Sequence, residues 1–297
     1  MLDFMVKCLL KSLPTKSDEF FFTNHHEYEE IMELSGKIVA EKIQQELASE
    51  VKILKSQNVT LSLAVILVGD DLASVSYIRA KENVARKIGV DFRLFHFDRI
   101  CRESQVLELI EELNRDANIS GIVVQLPLPE NFDSEKIVRA INPKKDIDGL
   151  LGKMPAPTVE AILELLKFYK VELIGNIVLV GHGRLVGEPL DKVLTARKID
   201  YTICDSKTPD LEAKTQSADL IISATGVPGL IKPDMVSKSA VVIDAGTAES
   251  GGSVKGDVDP AVYEKVRAYS PVPGGVGPLT VVMLMKNLVE AARKGEN

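Results

Sequence analysis

Ser74, Tyr77 and Lys81 lie three and then four residues apart, so a helix through them shows all three on one face. A tyrosine and a lysine sharing a face offer an aromatic surface and a proton-active amine. Burial beside neutral groups lowers a lysine pKa toward the working pH and makes it an acid–base group. An amphipathic helix with a solvated lysine accounts for these three residues equally well, so the chemistry depends on what else converges. Gln125 ends the apolar run Gly121–Leu126 and enters Leu126-Pro127-Leu128-Pro129. Its amide offers a donor and an acceptor to a heterocycle or to the lysine. Asp146 and Asp148 follow in the turn-rich stretch 142–149. Paired loop carboxylates could bind a metal, cap a helix or grip a ring N–H. No histidine or third carboxylate accompanies them, and no metal is expected.

A second set of residues suits a phosphate-bearing cofactor. Gly181-His182-Gly183-Arg184-Leu185-Val186-Gly187 stands between an apolar run and an apolar helix pattern. Glycines let backbone approach a pyrophosphate, and a helix N-terminus favours its charge. The G-x-G-x-x-x-G spacing is one residue longer than the usual dinucleotide fingerprint, and a tight turn of any α/β protein is the plainer alternative. Further on, Cys204-Asp205-Ser206-Lys207-Thr208 follows the next strand. Asp205 could accept from a free ribose hydroxyl, whereas Ser206, Lys207 and Arg184 could hold a phosphate, so NADP and NAD both stay open. A third stretch, Pro271-Val272-Pro273-Gly274-Gly275-Val276-Gly277-Pro278-Leu279-Thr280, reads as a loop presenting bare backbone to a flat or anionic ligand, with Thr280 at the threshold of a helix.

These groups need a scaffold that alternates strands and helices. Helices are expected from Ser35, from Ser74 (as N-cap) to Gly89, from Ser104, from Ser134, and from Thr158 to Tyr169. Strands are expected at Leu63–Val68, Asp91–Phe97 and Gly121–Leu126. After the break at 142–149 a second series runs through strands Asn176–Val180, Tyr201–Cys204, Leu220–Ala224 and Ala240–Ile243. The pattern predicts an α/β fold of two domains, each built on a mainly parallel sheet, with a final helix from Leu279 packing back on the first. Residues 31–150, completed by 279–297, form the first domain and residues 151–278 the second, Rossmann-like one. Residues 1–30, with Phe20-Phe21-Phe22 and His25-His26, are read as a tail, either disordered or untranslated, with Met32 as an alternative start.

The chain as a whole narrows the function classes. Its 297 residues carry 36 basic and 43 acidic side chains and a net charge of -7, which gives no footprint for nucleic acid. Tryptophan is absent and aromatics make up 5%, too few for a base-stacking platform. Three scattered cysteines (Cys8, Cys101, Cys204) fit a reducing compartment. No apolar run reaches the roughly 20 residues of a membrane span, and a cytoplasmic protein with no membrane partner is expected.

Taken together, Ser74-x-x-Tyr77-x-x-x-Lys81, Gly121-Ile122-Val123-Val124-Gln125-Leu126-Pro127-Leu128-Pro129, Lys145-Asp146-Ile147-Asp148-Gly149 and Pro273-Gly274-Gly275-Val276-Gly277-Pro278-Leu279-Thr280 closely resemble the bifunctional methylenetetrahydrofolate dehydrogenase/methenyltetrahydrofolate cyclohydrolase family. The resemblance runs from about Leu34 to the C-terminus in the family's order. It implies NADP-dependent oxidation of 5,10-methylenetetrahydrofolate to the methenyl form, then hydrolysis to 10-formyltetrahydrofolate, a one-carbon donor used in purine synthesis. It also implies a homodimer. Lys81 matches the family's catalytic lysine, Tyr77 the tyrosine lying against the folate, Gln125 the glutamine orienting the lysine, and Asp148 the carboxylate holding the pterin N–H groups. Leu126, Pro127, Pro273, Gly274 and Gly275 would line the folate cleft. Gly181, His182, Gly183, Arg184, Ser206 and Thr247 would meet the cofactor. Gly183 stands where the family usually has serine, His182 where NADP-using members can carry arginine, and Thr247 where isoleucine is commoner. The family's long loop after K-D-x-D-G is cut short, Gly149 being followed closely by Pro155-Ala156-Pro157-Thr158. A cyclohydrolase without the dehydrogenase and an NAD-preferring dehydrogenase are the alternatives that these departures raise.

Overall fold

The computed structural model describes residues 31–250 and 253–294; the expected tail, with its histidine pair, lies outside them. Among the described residues the strands run in chain order as β1 (Met32–Glu33), β2 (Ser62–Val68), β3 (Asp91–Phe97), β4 (Gly121–Val124), β5 (Ile177–Val180), β6 (Thr202–Cys204), β7 (Leu220–Ser223), β8 (Val241–Asp244), β9 (Ala248–Ser250), β10 (Ser253–Lys255) and β11 (Ala268–Tyr269). The α-helices among the same residues alternate with them: α1 (Gly36–Ser56), α2 (Leu72–Ile88), α3 (Glu103–Arg115), α4 (Ser134–Arg139), α5 (Pro157–Phe168), α6 (Gly187–Ala196), α7 (Leu211–Gln216) and α8 (Val276–Lys294).

The strands form two parallel sheets and one hairpin. The first sheet has the order β3-β2-β4, the second β1-β11-β8-β7-β5-β6, and β9 pairs antiparallel with β10. Every residue of β2 is buried, as is every residue of β5, β7 and β8. A strand covered on both faces cannot alternate apolar with polar residues, which is why Leu63–Val68 and Ile177–Val180 are unbroken apolar runs. The β3 strand lies at an edge and is half exposed along its length.

Each sheet has one point where the chain reverses its order of strand addition. From β2 the chain passes to β3 on one side and then to β4 on the other; from β5 it passes to β6 and then to β7. Open parallel sheets bind ligands in the crevice beyond the strand C-termini at such reversals. Two crevices follow, one above β2 and β4 and one above β5 and β7. The α8 helix packs on α1, α2, α5 and β4. It is buried almost all round, with Leu279, Val282, Met285 and Leu288 at 0–1% exposure. At about 1.5–3 kcal/mol for each fully buried large side chain, this helix is a principal source of cohesion for the first sheet.

Most boundaries fall within one or two residues of expectation, β4 for instance ending at Val124 and not Leu126, and two helix starts differ in how the end is built. Asp71, not Ser74, caps α2: its carboxylate accepts from the Ser74 N–H at 2.8 Å, and Ser74 is buried inside the first turn. Both residue types cap helices well, and the one that stands before the first helical turn takes the role. The last helix starts at Val276, three residues before Leu279, so Gly277 and Pro278 are helical and Thr280 is no threshold. Proline is tolerated in a first turn because the N–H it lacks has no intrahelical acceptor there. The hydroxyl of Thr280 instead donates back to the Val276 carbonyl at 3.2 Å. Gly89 does end α2 in the left-handed region, at φ 86°.

Candidate active site

The α2 helix leaves the C-terminal end of β2 and carries Lys81 into the first crevice. The amine is buried and donates to Gln125 Oε1 at 2.9 Å. Gln125 follows β4, and its Nε2 donates to the Leu126 carbonyl at 2.8 Å, which fixes which end of the amide faces the lysine. Burial holds the Lys81 pKa below the ordinary lysine value, and the Asp148 carboxylate partly offsets this. A lowered pKa with a positioned acceptor gives an amine able to take and return a proton. Tyr77, one turn earlier on α2, is half buried; its hydroxyl lies 3.9 Å from where a Cβ on Gly277 would stand. The aromatic face therefore reaches the start of α8.

The two aspartates of the 142–149 segment separate into different roles. Asp146 is fully buried, bridges to Ile122 beside β4 and accepts from the Leu151 N–H at 2.7 Å. Burial pushes its pKa up, and its Oδ1 has no partner among the described residues. Asp148 is half buried. Asp146 is a packing residue and Asp148 the one that can meet a ligand. No group of three histidine, cysteine or acidic side chains among the described residues could hold a metal ion.

The loop 271–275 leads into α8 and is held against the start of α1. Gly274 adopts φ 121° and its carbonyl accepts from the Lys37 N–H at 3.2 Å, while the Gly275 N–H donates to the Pro271 carbonyl at 2.7 Å. Gly36, at the start of α1, packs against Gly275 so closely that a Cβ would lie 2.6 Å from the Gly275 carbonyl carbon. Gly274 and Gly275 are buried while Pro273 stands exposed, as does Pro127 of the 125–129 stretch, with Leu126 half buried. Lys81, Gln125 and Asp148 thus form one group, Tyr77 joins them to α8, and the 271–275 loop is tied to the start of α1.

The cofactor candidates gather at the second crevice. Gly181 follows β5 at φ 96°, and a Cβ there would lie 2.6 Å from the Ala224 carbonyl oxygen beyond β7. A Cβ on Gly187, at the start of α6, would lie 2.6 Å from the His182 Cα, so the helix begins pressed onto the turn. Gly183 has open space around it. A turn of bare backbone leading into a ten-residue helix fits a dinucleotide pyrophosphate. His182, Arg184, Ser206 and Thr247 are exposed around this crevice. Gly226 and Thr247 approach each other across it, a Gly226 Cβ being 3.9 Å from the Thr247 carbonyl. Asp205, after β6, is occupied by its own loop: it accepts from the Lys207 N–H and the Thr208 hydroxyl, at 2.9 and 3.0 Å, and these bonds hold its pKa down.

Several polar clusters here are absent from the sequence reading. His182 Nε2 lies 2.8 Å from Asp191 Oδ2 on α6, and Asp191 is also bonded by Tyr201 and Thr195. Those bonds, the Tyr201 hydroxyl first, hold Asp191 below the usual carboxylate range. At the ends of β7 and β8, Asp244 accepts from Gly246, Asp257 and Val258 N–H groups, and Asp257 from the Ser223 hydroxyl and Thr225 N–H. Both are essentially inaccessible. Burial, with Asp257 facing it, outweighs the three N–H donors and raises the Asp244 pKa to about 7. Asp244 and Asp257 stand thirteen residues apart in the chain, and only the fold brings them together.

Comparison with known proteins agrees with this geometry. Residues 34–148 match the family profile "Tetrahydrofolate dehydrogenase/cyclohydrolase, catalytic domain", and residues 156–296 the profile "Tetrahydrofolate dehydrogenase/cyclohydrolase, NAD(P)-binding domain". The chain is 44% identical over 273 residues to the bifunctional protein FolD of Exiguobacterium sibiricum, covering 88% of this chain and 99% of that one. Its structure resembles that of the bifunctional FolD methylenetetrahydrofolate dehydrogenase/cyclohydrolase of Campylobacter jejuni, with TM-score 0.84 and 35% identity over 89% of this chain and 99% of that one. It also resembles the FolD of Trypanosoma brucei solved with NADP and an inhibitor, with TM-score 0.84 and 31% identity over 90% and 99%.

Proposed function

The chain belongs to the tetrahydrofolate dehydrogenase/cyclohydrolase family, and from that premise we propose how its cleft carries out the two reactions. It oxidises 5,10-methylenetetrahydrofolate to 5,10-methenyltetrahydrofolate with NADP and hydrolyses the product to 10-formyltetrahydrofolate. The observation that carries the residue assignment is the buried Lys81 amine bonded to Gln125, with Asp148 close enough to act on its charge.

In this reading Tyr77 lies against the folate ring, and Asp148 accepts from the pterin N–H groups. Leu126, Pro127, Pro273, Gly274 and Gly275 line the slot. Gly181, His182, Gly183, Arg184, Ser206 and Thr247 hold the NADP, whose nicotinamide, when bound, supplies the acceptor for the methylene hydride. The protein's part in that step is alignment, which can be worth about 7–11 kcal/mol of barrier. In the hydrolysis, water adds to the cationic methenyl carbon. Lys81 takes a proton from that water and returns one to N5 as the C–N5 bond breaks; the second water proton leaves with solvent. Gln125 keeps the amine aimed by accepting one of its hydrogens.

The reading extends to assembly and place. The β3 edge is seven residues long, its Leu94 is 45% exposed, and an open edge of that length invites a second copy. A homodimer, acting in the cytoplasm and supplying one-carbon units for purine synthesis, is the form proposed. No helix among the described residues is long and apolar enough to cross a membrane. The test is absorbance at the nicotinamide and methenyl bands with methylenetetrahydrofolate and NADP or NAD supplied in parallel. Faster reduction of NADP supports the reading. No reduction, with rapid decay of added methenyltetrahydrofolate, would leave a cyclohydrolase alone.

A further inference from the structure

Asn287 is a polar side chain on the buried side of α8. It is 4% exposed on α8, among Leu284, Met285, Leu288 and Val289, each at 0–2%. A buried amide in such surroundings costs stability unless its hydrogens are used. Both are: Nδ2 donates to the Ile147 carbonyl at 2.8 Å and to the Pro155 carbonyl at 2.9 Å. Ile147 stands between Asp146 and Asp148, and Pro155 closes the short loop that follows. Between these two points the loop is folded tightly on itself. Gly149 has φ 72°, and a Cβ on it would lie 2.8 Å from the Met154 and Pro155 carbonyl oxygens. The Leu151 N–H meanwhile reaches back to Asp146.

We propose that Asn287 is a positioning residue that clamps both ends of the 147–155 loop and thereby sets the Asp148 carboxylate against the folate ring and the Lys81 amine. The inference rests on the function proposed above and deepens it. The peptide joining Ile147 to Asp148 contains the very carbonyl that Asn287 holds, so the clamp acts one bond from the Asp148 backbone. Asp148 in turn raises the Lys81 pKa against the effect of burial. Releasing the clamp should therefore lower the proton affinity of Lys81, and only while the Asp148 carboxylate is present, whereas general loosening of α8, which also packs on α2, would relieve the burial of Lys81 and raise it.

The test is a double-mutant cycle on the full chain with Asn287→Leu, Asp148→Asn and the pair, and Asn287→Ser as a milder variant keeping one donor. Tetrahydrofolate dissociation constants and the pH profile of methenyltetrahydrofolate hydrolysis are the readouts. Asn287→Leu is expected to weaken tetrahydrofolate binding about tenfold and to move the limb belonging to Lys81 to lower pH. Asp148→Asn should do the same, and Asn287→Leu should add little in the Asp148→Asn background. Asn287→Ser should fall between, with the KM for NADP unchanged throughout. Additive effects, or an unmoved limb in Asn287→Leu and Asn287→Ser alike, would overturn the clamp. A wild-type chain that binds tetrahydrofolate but hydrolyses nothing would instead overturn the proposed function, while additivity in binding alone would still decide the clamp.

Discussion

Replacing Gly36 by alanine tests how the substrate loop is held. The added Cβ would stand 2.6 Å from the Gly275 carbonyl carbon and 3.3 Å from its Cα, and both are backbone that no rotamer change can move aside. The Gly275 carbonyl oxygen is nearer still, and ordinary contacts need about 3.5–4.0 Å, so the 271–275 loop must retreat by more than about 1 Å. Overpacking of this kind costs about 1–3 kcal/mol, and the lower chain entropy of alanine returns about 0.4–1 of it. A net loss of roughly 1–2 kcal/mol corresponds to a fall in Tm of about 2–8 °C for a domain of this size. The larger effect should be kinetic, because a 1 Å misplacement in a site that works by alignment costs about 100-fold. Steady-state kinetics of both reactions, beside a thermal melt, measure the two effects. Gly229→Ala is the control: it lies at φ 64° with open space around it, so it should lose stability through backbone strain alone and keep its kinetics. If Gly36→Ala keeps wild-type kcat/KM for both reactions, the start of α1 does not hold the loop and the packing argument fails.

Lys81→Met keeps most of the side-chain volume and removes the proton-active group, so hydrolysis of methenyltetrahydrofolate should drop by about 10²–10⁴ while circular dichroism stays native; unaltered hydrolysis would end the assignment. Gly181→Ala forces φ 96° on alanine and sets its Cβ 2.6 Å from the Ala224 carbonyl oxygen, so the KM for NADP should rise while methenyl hydrolysis measured without cofactor stays near wild type. The Asp244 carboxyl titrates near pH 7 when folded and near 3.9 when unfolded, so the folded state binds the extra proton between those values. Its contribution is therefore complete below about pH 4 and is lost as pH rises through about 7, by an amount on the order of 4 kcal/mol. Denaturant melts of Asp244→Asn against wild type over that range should show a flatter pH dependence in the variant; parallel curves would refute the shift.

Much of this site could be read from the sequence because its chemistry sits where two strong signals coincide. The unbroken runs at Leu63–Val68 and Gly121–Val124 mark strands buried on both faces, and reactive groups follow their C-termini. The steps from Tyr77 to Lys81 place both on one helical face, and the structure finds them there. Other parts were hidden for physical reasons. The β1 and β11 strands hold two residues each and exist only because they pair in the second sheet, which no local pattern announces. The bond between His182 and Asp191 depends on how the glycine turn rotates into α6, and periodicity does not give that rotation. As residues Asp146 and Asp148 look alike, and the resemblance alone singled out Asp148; the structure adds that Asp146 is buried and Asp148 half buried. Asn287 had a signal that could have been used: an amide amid four apolar neighbours in a helix needs acceptors from another element.

In the proposed reading, in which both reactions use one cleft, the α8 helix is the common support. It begins where the 271–275 loop ends, passes Tyr77 at Gly277, and holds the Asp148 loop through Asn287. The 271–275 loop is hydrogen-bonded to the start of α1 through the Lys37 N–H, and the hydroxyl of Tyr169, which ends α5, donates to the Ser35 carbonyl beside it. Tyr77, the 271–275 loop and the loop carrying Asp148 are thus all referenced to one buried helix. The cofactor turn, in contrast, is fixed by the glycine contacts at Gly181 and Gly187 within the second sheet. Folate geometry and cofactor geometry therefore rest on different supports. A change in α8 should disturb both reactions through the shared substrate, whereas a change at the glycine turn should disturb the oxidation alone. This asymmetry is the kinetic signature expected of one substrate site served by a separately built cofactor site.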